Sequence, residues 1–231
     1  IYTFEFGLNA WSPFFCGVAA LLAYVSIDVC PPKEEALATI EFGKQLQGIA
    51  VSMLDNPITV RGQTKGLQGL AHVSPWNLPI EDAFGFSKAT YQSGFESGDL
   101  AYSYYGAYHF SSQKFTAGVN LDEYQSQVSE YLKSLIRAGQ RTMPQYLSIF
   151  LQTTQNLKEP SAEPHKLCGE FFAEEEWLPS ALAANDIVGL HTLKMNKLLL
   201  MYHFDQDEAL TRHIGELDDY LHGAQGLFSV P

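Results

Sequence analysis

Two interleaved series of helix starts, each recurring after a little over forty residues, restrict this chain more than any other feature. Caps, prolines and apolar spacing place one series near Ser12, Pro57, Asp99, Arg141 and Asp186, at intervals of 45, 42, 42 and 45 residues. The second series begins near Pro32, Pro79, Asn120, Pro164 and Asp205, at intervals of 47, 41, 44 and 41. Such starts are readable because Ser, Asp and Asn accept hydrogen bonds from the unsatisfied first-turn amides, and Pro fits the first turn. A shared period for alternate helices is the mark of stacked helix pairs, none of which can bury its apolar face alone. The prediction is an all-α chain: a right-handed α-α superhelix, or solenoid, of about five helix pairs forming a single helical-repeat domain over residues 1–231.

The apolar spacing supports this. After Asp99, expected to cap its helix with a side-chain oxygen, Ala101, Tyr104, Tyr105, Tyr108, Ser112 and Phe115 fall on one face of a 3.6-residue helix. Phe42, Leu46, Ile49 and Met53 mark a second-series face, as do Leu121, Tyr124, Val128, Tyr131, Leu132 and Leu135, and again Leu210, Ile214, Leu217 and Leu221. Met143, Leu147, Phe150, Leu151 and Leu157 mark a first-series face. Period-two alternation, the strand signature, is absent over any useful length. The pattern is least regular at 157–185, where Pro160, Pro164, Pro179 and Glu174–Glu176 interrupt it. A shortened helix at His165–Phe172 and a further piece at Trp177–Ala184 are predicted there. Val73–Pro79 reads as a turn carrying a packed Trp76.

Charge excludes several roles. With 14 Lys and Arg against 26 Asp and Glu, the net charge of −12 disfavours nucleic acid and anionic membranes, whose phosphates need clustered cations. Cys16, Cys30 and Cys168 are odd in number and lack C-x-x-C spacing, so they read as small buried hydrophobes of a protein from a reducing compartment, the cytoplasm or an organelle stroma. No basic segment precedes the first apolar run, Phe14–Ile27, so it is not read as a signal peptide. At about fourteen residues the run is short of the roughly twenty of a membrane span and reads as a core helix. The acids are segregated: as drawn, only Asp28, Asp99 and Asp186 fall in the first series, whereas Arg61, Lys65, Lys114, Arg141, Lys158, Lys194 and Lys197 lie there. An acid-poor, mildly basic inner surface follows, with an acidic exterior.

The stretch Phe95-Glu96-Ser97-Gly98-Asp99-Leu100-Ala101-Tyr102-Ser103-Tyr104-Tyr105 resembles the recurring E-x-G-D-L-x-Y-A helix opening of very large signalling proteins. Those proteins join a Ser/Thr kinase-like domain, an AAA/STAND-type ATPase, a tetratricopeptide-like (TPR-like) region and often GAF and histidine-kinase modules. The likeness extends to Gly169–Phe172 with the acids that follow, and to Leu227–Pro231. It implies a TPR-like helical segment of a longer protein, serving regulation, scaffolding or complex assembly. No catalytic residue carries over, because that chemistry lies in modules outside this stretch. Gly62-Gln63-Thr64-Lys65-Gly66 has neither the spacing nor the Ser or Thr of a phosphate loop, and kinase signatures are missing.

The residues themselves suggest no enzyme, metal or cofactor. His109, His191 and His203 form no H-E-x-x-H or i, i+4 ligand pair, and His213 and His222 flank acids without a completing cluster. Asp205-Gln206-Asp207-Glu208 begins like a calcium loop, but Leu210 stands where the loop needs Gly. The expected role is binding of a protein partner in a polar groove lined by Arg61, Lys65, Tyr102, His109, Gln113, Gln145, Gln152, His191 and Lys194. The alternative is a small-molecule or lipid binder, or an enzyme, using an aromatic cavity. A third reading fixes the chain against a membrane complex through Phe14–Ile27.

Overall fold

The computed structural model describes residues 9–25, 33–56 and 58–221. Among these are ten α-helices and no strands; one isolated bridge pairs Cys168 with Ala173. The helices are α1 (Ser12–Val25), α2 (Lys33–Met53), α3 (Gln63–Val73), α4 (Ile80–Ser97) and α5 (Leu100–Thr116). They continue with α6 (Leu121–Arg137), α7 (Thr142–Lys158), α8 (Glu174–Ala183), α9 (Ile187–His203) and α10 (Asp207–Leu221). The chain is thus all-helical, and Pro79, Asp99, Asn120, Arg141 and Asp186 stand at helix N-caps. The starts read at Pro32 and Pro57 lie outside the described residues, as do Asp28, Cys30, His222, the 227–231 stretch and the end of the first apolar run.

The described residues divide into two compact units, one ending at Ala117 and the other beginning at Gly118. In the first, α1 packs on α2 and α3, α3 on α4 and α5, and α4 on α5. Cys16, Ala20, Leu46, Ala50, Met53, Leu70 and Val73 form its core, with Trp76 packed against them from the turn Ser74–Trp76. In the second, α7 packs on α6 and α9, and α9 on α8 and α10. Its core holds Ile149, Leu167, Phe172, Leu193 and Leu200, with Trp177 against them.

The segregation of acids has a physical basis here. None of α1, α3, α5, α7 and α9 contains an Asp or Glu. Within each unit these helices pack on one another, α1 on α3, α3 on α5, and α7 on α9. Several are buried nearly all round; α7 alone buries Tyr146 through Thr154 without interruption. An unpaired carboxylate placed there would lose its hydration, so the helical acids sit on α2, α4, α6, α8 and α10 and the other described acids in the connecting segments.

Several expectations are corrected. Asp99 is an N-cap residue, but its carboxylate makes no capping bond; it lies 3.0 Å from the Lys65 ammonium, a stronger partner than a backbone amide. Asn120 does cap, accepting from the amides of Asp122 and Glu123. Tyr104 and Tyr108 are buried as the periodicity requires, whereas Ala101 and Tyr105 face solvent. Phe42 is 55% exposed and Ile214 is exposed too, although both sit at core spacing; Leu46, Ile49 and Met53 carry the packing of α2. No helix forms at His165–Phe172. Pro160, Pro164 and the Cys168–Ala173 bridge keep that segment extended and turned, and the helix begins at Glu174, ahead of the predicted Trp177. Cys168 lies in this loop and is exposed, while Cys16 is buried, which raises its thiol pKa.

Candidate functional site

The nine expected groove residues fall into two groups, five in the first unit and four in the second. His109, Gln113, Gln152 and His191 are buried, so they do not line an open groove. Gln113 donates to the Ala71 carbonyl at 2.7 Å and accepts from the Ser87 hydroxyl at 2.7 Å, tying α5 to α3 and α4. Gln152 is 2% exposed and holds the loop before α8. His191 is 1% exposed, and neither ring nitrogen has a hydrogen-bond partner among the described residues. Each of these side chains was placed off the apolar face by spacing alone. That rule fails on helices enclosed on several sides.

Lys65 and Tyr102 do come together, in the first turns of α3 and α5, whereas Arg61 is exposed in the Val60–Gly62 turn before α3. The Lys65 ammonium sits 4.0 Å above the Trp11 ring centroid and 5.1 Å from that of Tyr102, besides its bond to Asp99. Aromatic contacts extend the cluster: Trp11 meets Phe14 edge-on at 6.4 Å, Phe14 meets Tyr102 at 6.0 Å, and Tyr102 meets Tyr105 at 6.1 Å. Trp11 is 43% exposed, and Phe15 and Tyr105 are exposed beside it. The cluster thus sets exposed Trp and Tyr rings around a lysine side chain that is only 20% exposed. The sequence reading named Lys65 and Tyr102 but missed Trp11, whose position immediately before the first helix carries no periodic signal.

Gln145 is exposed on α7, and Lys194 borders a cavity of about 390 Å³ wholly within the second unit. Three helices each contribute a stripe at helical spacing: Glu174, Leu178 and Leu182 from α8, Lys194, Lys197 and Met201 from α9, and Arg212, His213 and Glu216 from α10. His165 adds its ring from the loop, with Nδ1 buried and without a hydrogen-bond partner among the described residues. Lys197 bonds Glu174 at 2.6 Å, and Glu174 also accepts from the Leu167 amide at 3.1 Å. Lys194 pairs with Glu216, whose carboxyl is held below its usual range by that hydrogen bond. The Nε2 of His213 lies 2.9 Å from the Lys194 carbonyl, which can only accept, so this nitrogen carries the proton. Burial lowers the His213 pKa, and its Nδ1 is left as an acceptor.

A different pair of histidines sits in the first unit. The rings of His72 and His109 are 4.7 Å apart, and His109 is pushed well below the ordinary 6.5, first by burial and then by the charge of His72. The folded state therefore takes up this proton less readily than the unfolded chain. Its contribution to stability is complete above the unfolded value of 6.5 and declines as pH falls below it. Stability should therefore fall between pH 7 and 5.5. Urea titrations at both pH values will show this difference in wild type and a smaller one in His109→Phe; equal pH dependence would show that His109 is not the group responsible.

Among the described residues no group of three or more His, Cys, Asp or Glu is placed to hold a metal ion, and no helix is long and apolar enough to cross a membrane. No family model matches the chain, nor does any curated protein or solved structure.

Proposed function

We propose that this chain is a non-catalytic, TPR-like helical-repeat segment that docks a protein partner, as a regulatory or scaffolding part of a larger protein or assembly. The observation that carries the reading is the exposed aromatic cluster around Lys65. The shared helix period and the layering of acid-free helices within each unit support a superhelical repeat. The resemblance of Phe95–Tyr105 to the helix opening of the multi-domain signalling ATPases supports the same assignment. The charged cavity beside Lys194 favours a second reading, small-molecule binding, which is compatible with partner docking at Lys65.

The test is photo-crosslinking in cells that produce the protein, with benzoylphenylalanine replacing Tyr105 and, separately, Ser126 on α6. The expected result is one defined adduct from position 105, none from position 126, and loss of the adduct when Lys65→Glu is added. With the purified partner, Lys65→Glu should weaken binding at least tenfold or so, since interface-centre residues dominate affinity. The fold should survive the change, because a partly exposed ion pair contributes at most about 1 kcal/mol. Identical adducts from both positions, or binding indifferent to Lys65→Glu in a protein of unchanged helicity, would refute the reading.

A further inference from the structure

The cavity of the second unit combines an apolar wall, a charged rim and ion pairs of unequal mobility. Its deep wall is apolar, with Leu193 and Met201 both buried. Its rim is charged with both signs, since Arg212 is exposed and Glu216 is 51% exposed. Its polar groups are fixed unequally. The Lys197–Glu174 pair is well buried and anchored to the loop amide of Leu167, so it is part of the wall. The Lys194–Glu216 pair joins a buried helix to a half-exposed carboxylate, which can move outward at little cost.

From this we infer that the cavity is a binding site for an apolar α-amino acid. The ligand's carboxylate would bond Lys194, with Arg212 at the rim adding to the positive field. Its ammonium would bond Glu216 and the Nδ1 acceptor of His213, which lies 3.9 Å from the Glu216 oxygen. Its side chain would lie against Leu178, Leu193 and Met201. A zwitterion inserted between Lys194 and Glu216 replaces each partner with one of the same sign, so neither protein charge loses its counter-charge. A simple organic acid would satisfy Lys194 but displace Glu216, and a simple amine would do the reverse. The volume of about 390 Å³ leaves room for an aromatic or branched side chain and not for a folded peptide segment. This site is separate from the aromatic cluster of the first unit and does not depend on its role.

The experiment is calorimetric titration of the full chain with three probes: L-phenylalanine, 3-phenylpropionate, which lacks the ammonium, and L-phenylalaninamide, which lacks the carboxylate. L-Phenylalanine should bind, and each analogue should bind at least about tenfold more weakly, the usual loss for a missing charged hydrogen bond. Lys194→Gln and Glu216→Gln should each weaken L-phenylalanine by a similar factor, while Lys133→Gln on α6 leaves it unchanged. No binding of L-phenylalanine at about 10 mM would overturn the inference, as would three probes binding alike. The analogue comparison uses unaltered protein, so it decides the matter even where a variant fails to fold.

Discussion

Asn156→Ala should open the loop between α7 and α8 and lower the stability of the second unit by about 2–4 kcal/mol. The Asn156 amide nitrogen donates to two carbonyls of that loop, Pro164 at 2.9 Å and Lys166 at 2.8 Å. Its oxygen accepts from Gln152 at 2.8 Å. Gln152 in turn accepts from the amides of Phe171 at 3.0 Å and Phe172 at 3.3 Å. Five loop and side-chain groups are satisfied by two amide side chains on one helix face, four residues apart. Truncation at 156 removes the partner of the Pro164 carbonyl and of the Gln152 amide donor, while the Lys166 carbonyl keeps only the Cys168 amide at 3.1 Å; each unmet buried group costs about 1–3 kcal/mol. Leu167 and Phe172, core residues carried by the loop, would loosen with it. Amide exchange reads this directly: the Phe171 and Phe172 protons should exchange at least about thirtyfold faster, with α5 amides unchanged. Exchange within about threefold of wild type would show that the loop is held by its apolar residues alone.

These two side chains also show where sequence reading stops. Gln152 sits at the spacing of an exposed first-series position, and nothing in composition separates a groove-lining glutamine from one that serves a buried loop. What decides is the helix's enclosure, a tertiary fact. The segment His165–Phe172 was misread as a helix although Pro160 and Pro164 interrupt the pattern beside it. The force that fixes it, the amide pair across from it on α7, is remote in sequence. The all-helical character and several helix starts were readable because caps and apolar spacing are local, as Asn120 and Asp186 show by capping in fact. Asp99 shows the limit of the same rule, since Lys65 on another helix outcompetes the local amides for its carboxylate.

The two candidate sites differ in the same way. Tyr102 was found because its spacing puts it off the core face of α5, and Lys65 because it stands at the equivalent position of the neighbouring first-series helix; Trp11, Phe14 and the cation–π geometry needed coordinates. For the cavity only Lys194 was named. The stripes on α8, α9 and α10 each look like ordinary amphipathic spacing, and only their convergence makes a site. The acidic run Glu174–Glu176, taken as an interruption, supplies the carboxylate that anchors Lys197.

Two glycine replacements in one helix should have opposite signs. Gly85 on α4 has nothing within 4 Å of where a Cβ would stand, so Gly85→Ala should gain stability by about 0.5–1 kcal/mol through helix propensity. Gly94, nine residues on, would place its Cβ 2.5 Å from Ser103 Cβ and 2.7 Å from the Ser103 backbone. Across the same interface Gly106 on α5 would place one 2.6 Å from the Tyr91 nitrogen and 2.9 Å from the Ser87 oxygen. The obstacle in both cases includes backbone, which cannot rotate away, so α4 and α5 must separate toward the 3.4 Å of ordinary contact. Separation also stretches the bond from the Ser103 hydroxyl to the Tyr91 carbonyl, now 2.7 Å. Overpacking of this kind costs about 1–3 kcal/mol, and lost contacts add to it, which outweighs the propensity gain of at most about 1 kcal/mol. Gly106→Ala should therefore lower the urea midpoint while Gly85→Ala raises it. The double change Gly94→Ala with Gly106→Ala should cost less than the sum, because helices already forced apart at one glycine are partly relieved at the other. If Gly106→Ala proves as stable as Gly85→Ala, then α4 and α5 do not pack through their glycines. The close-packed layer from which the first unit is built would then be wrong.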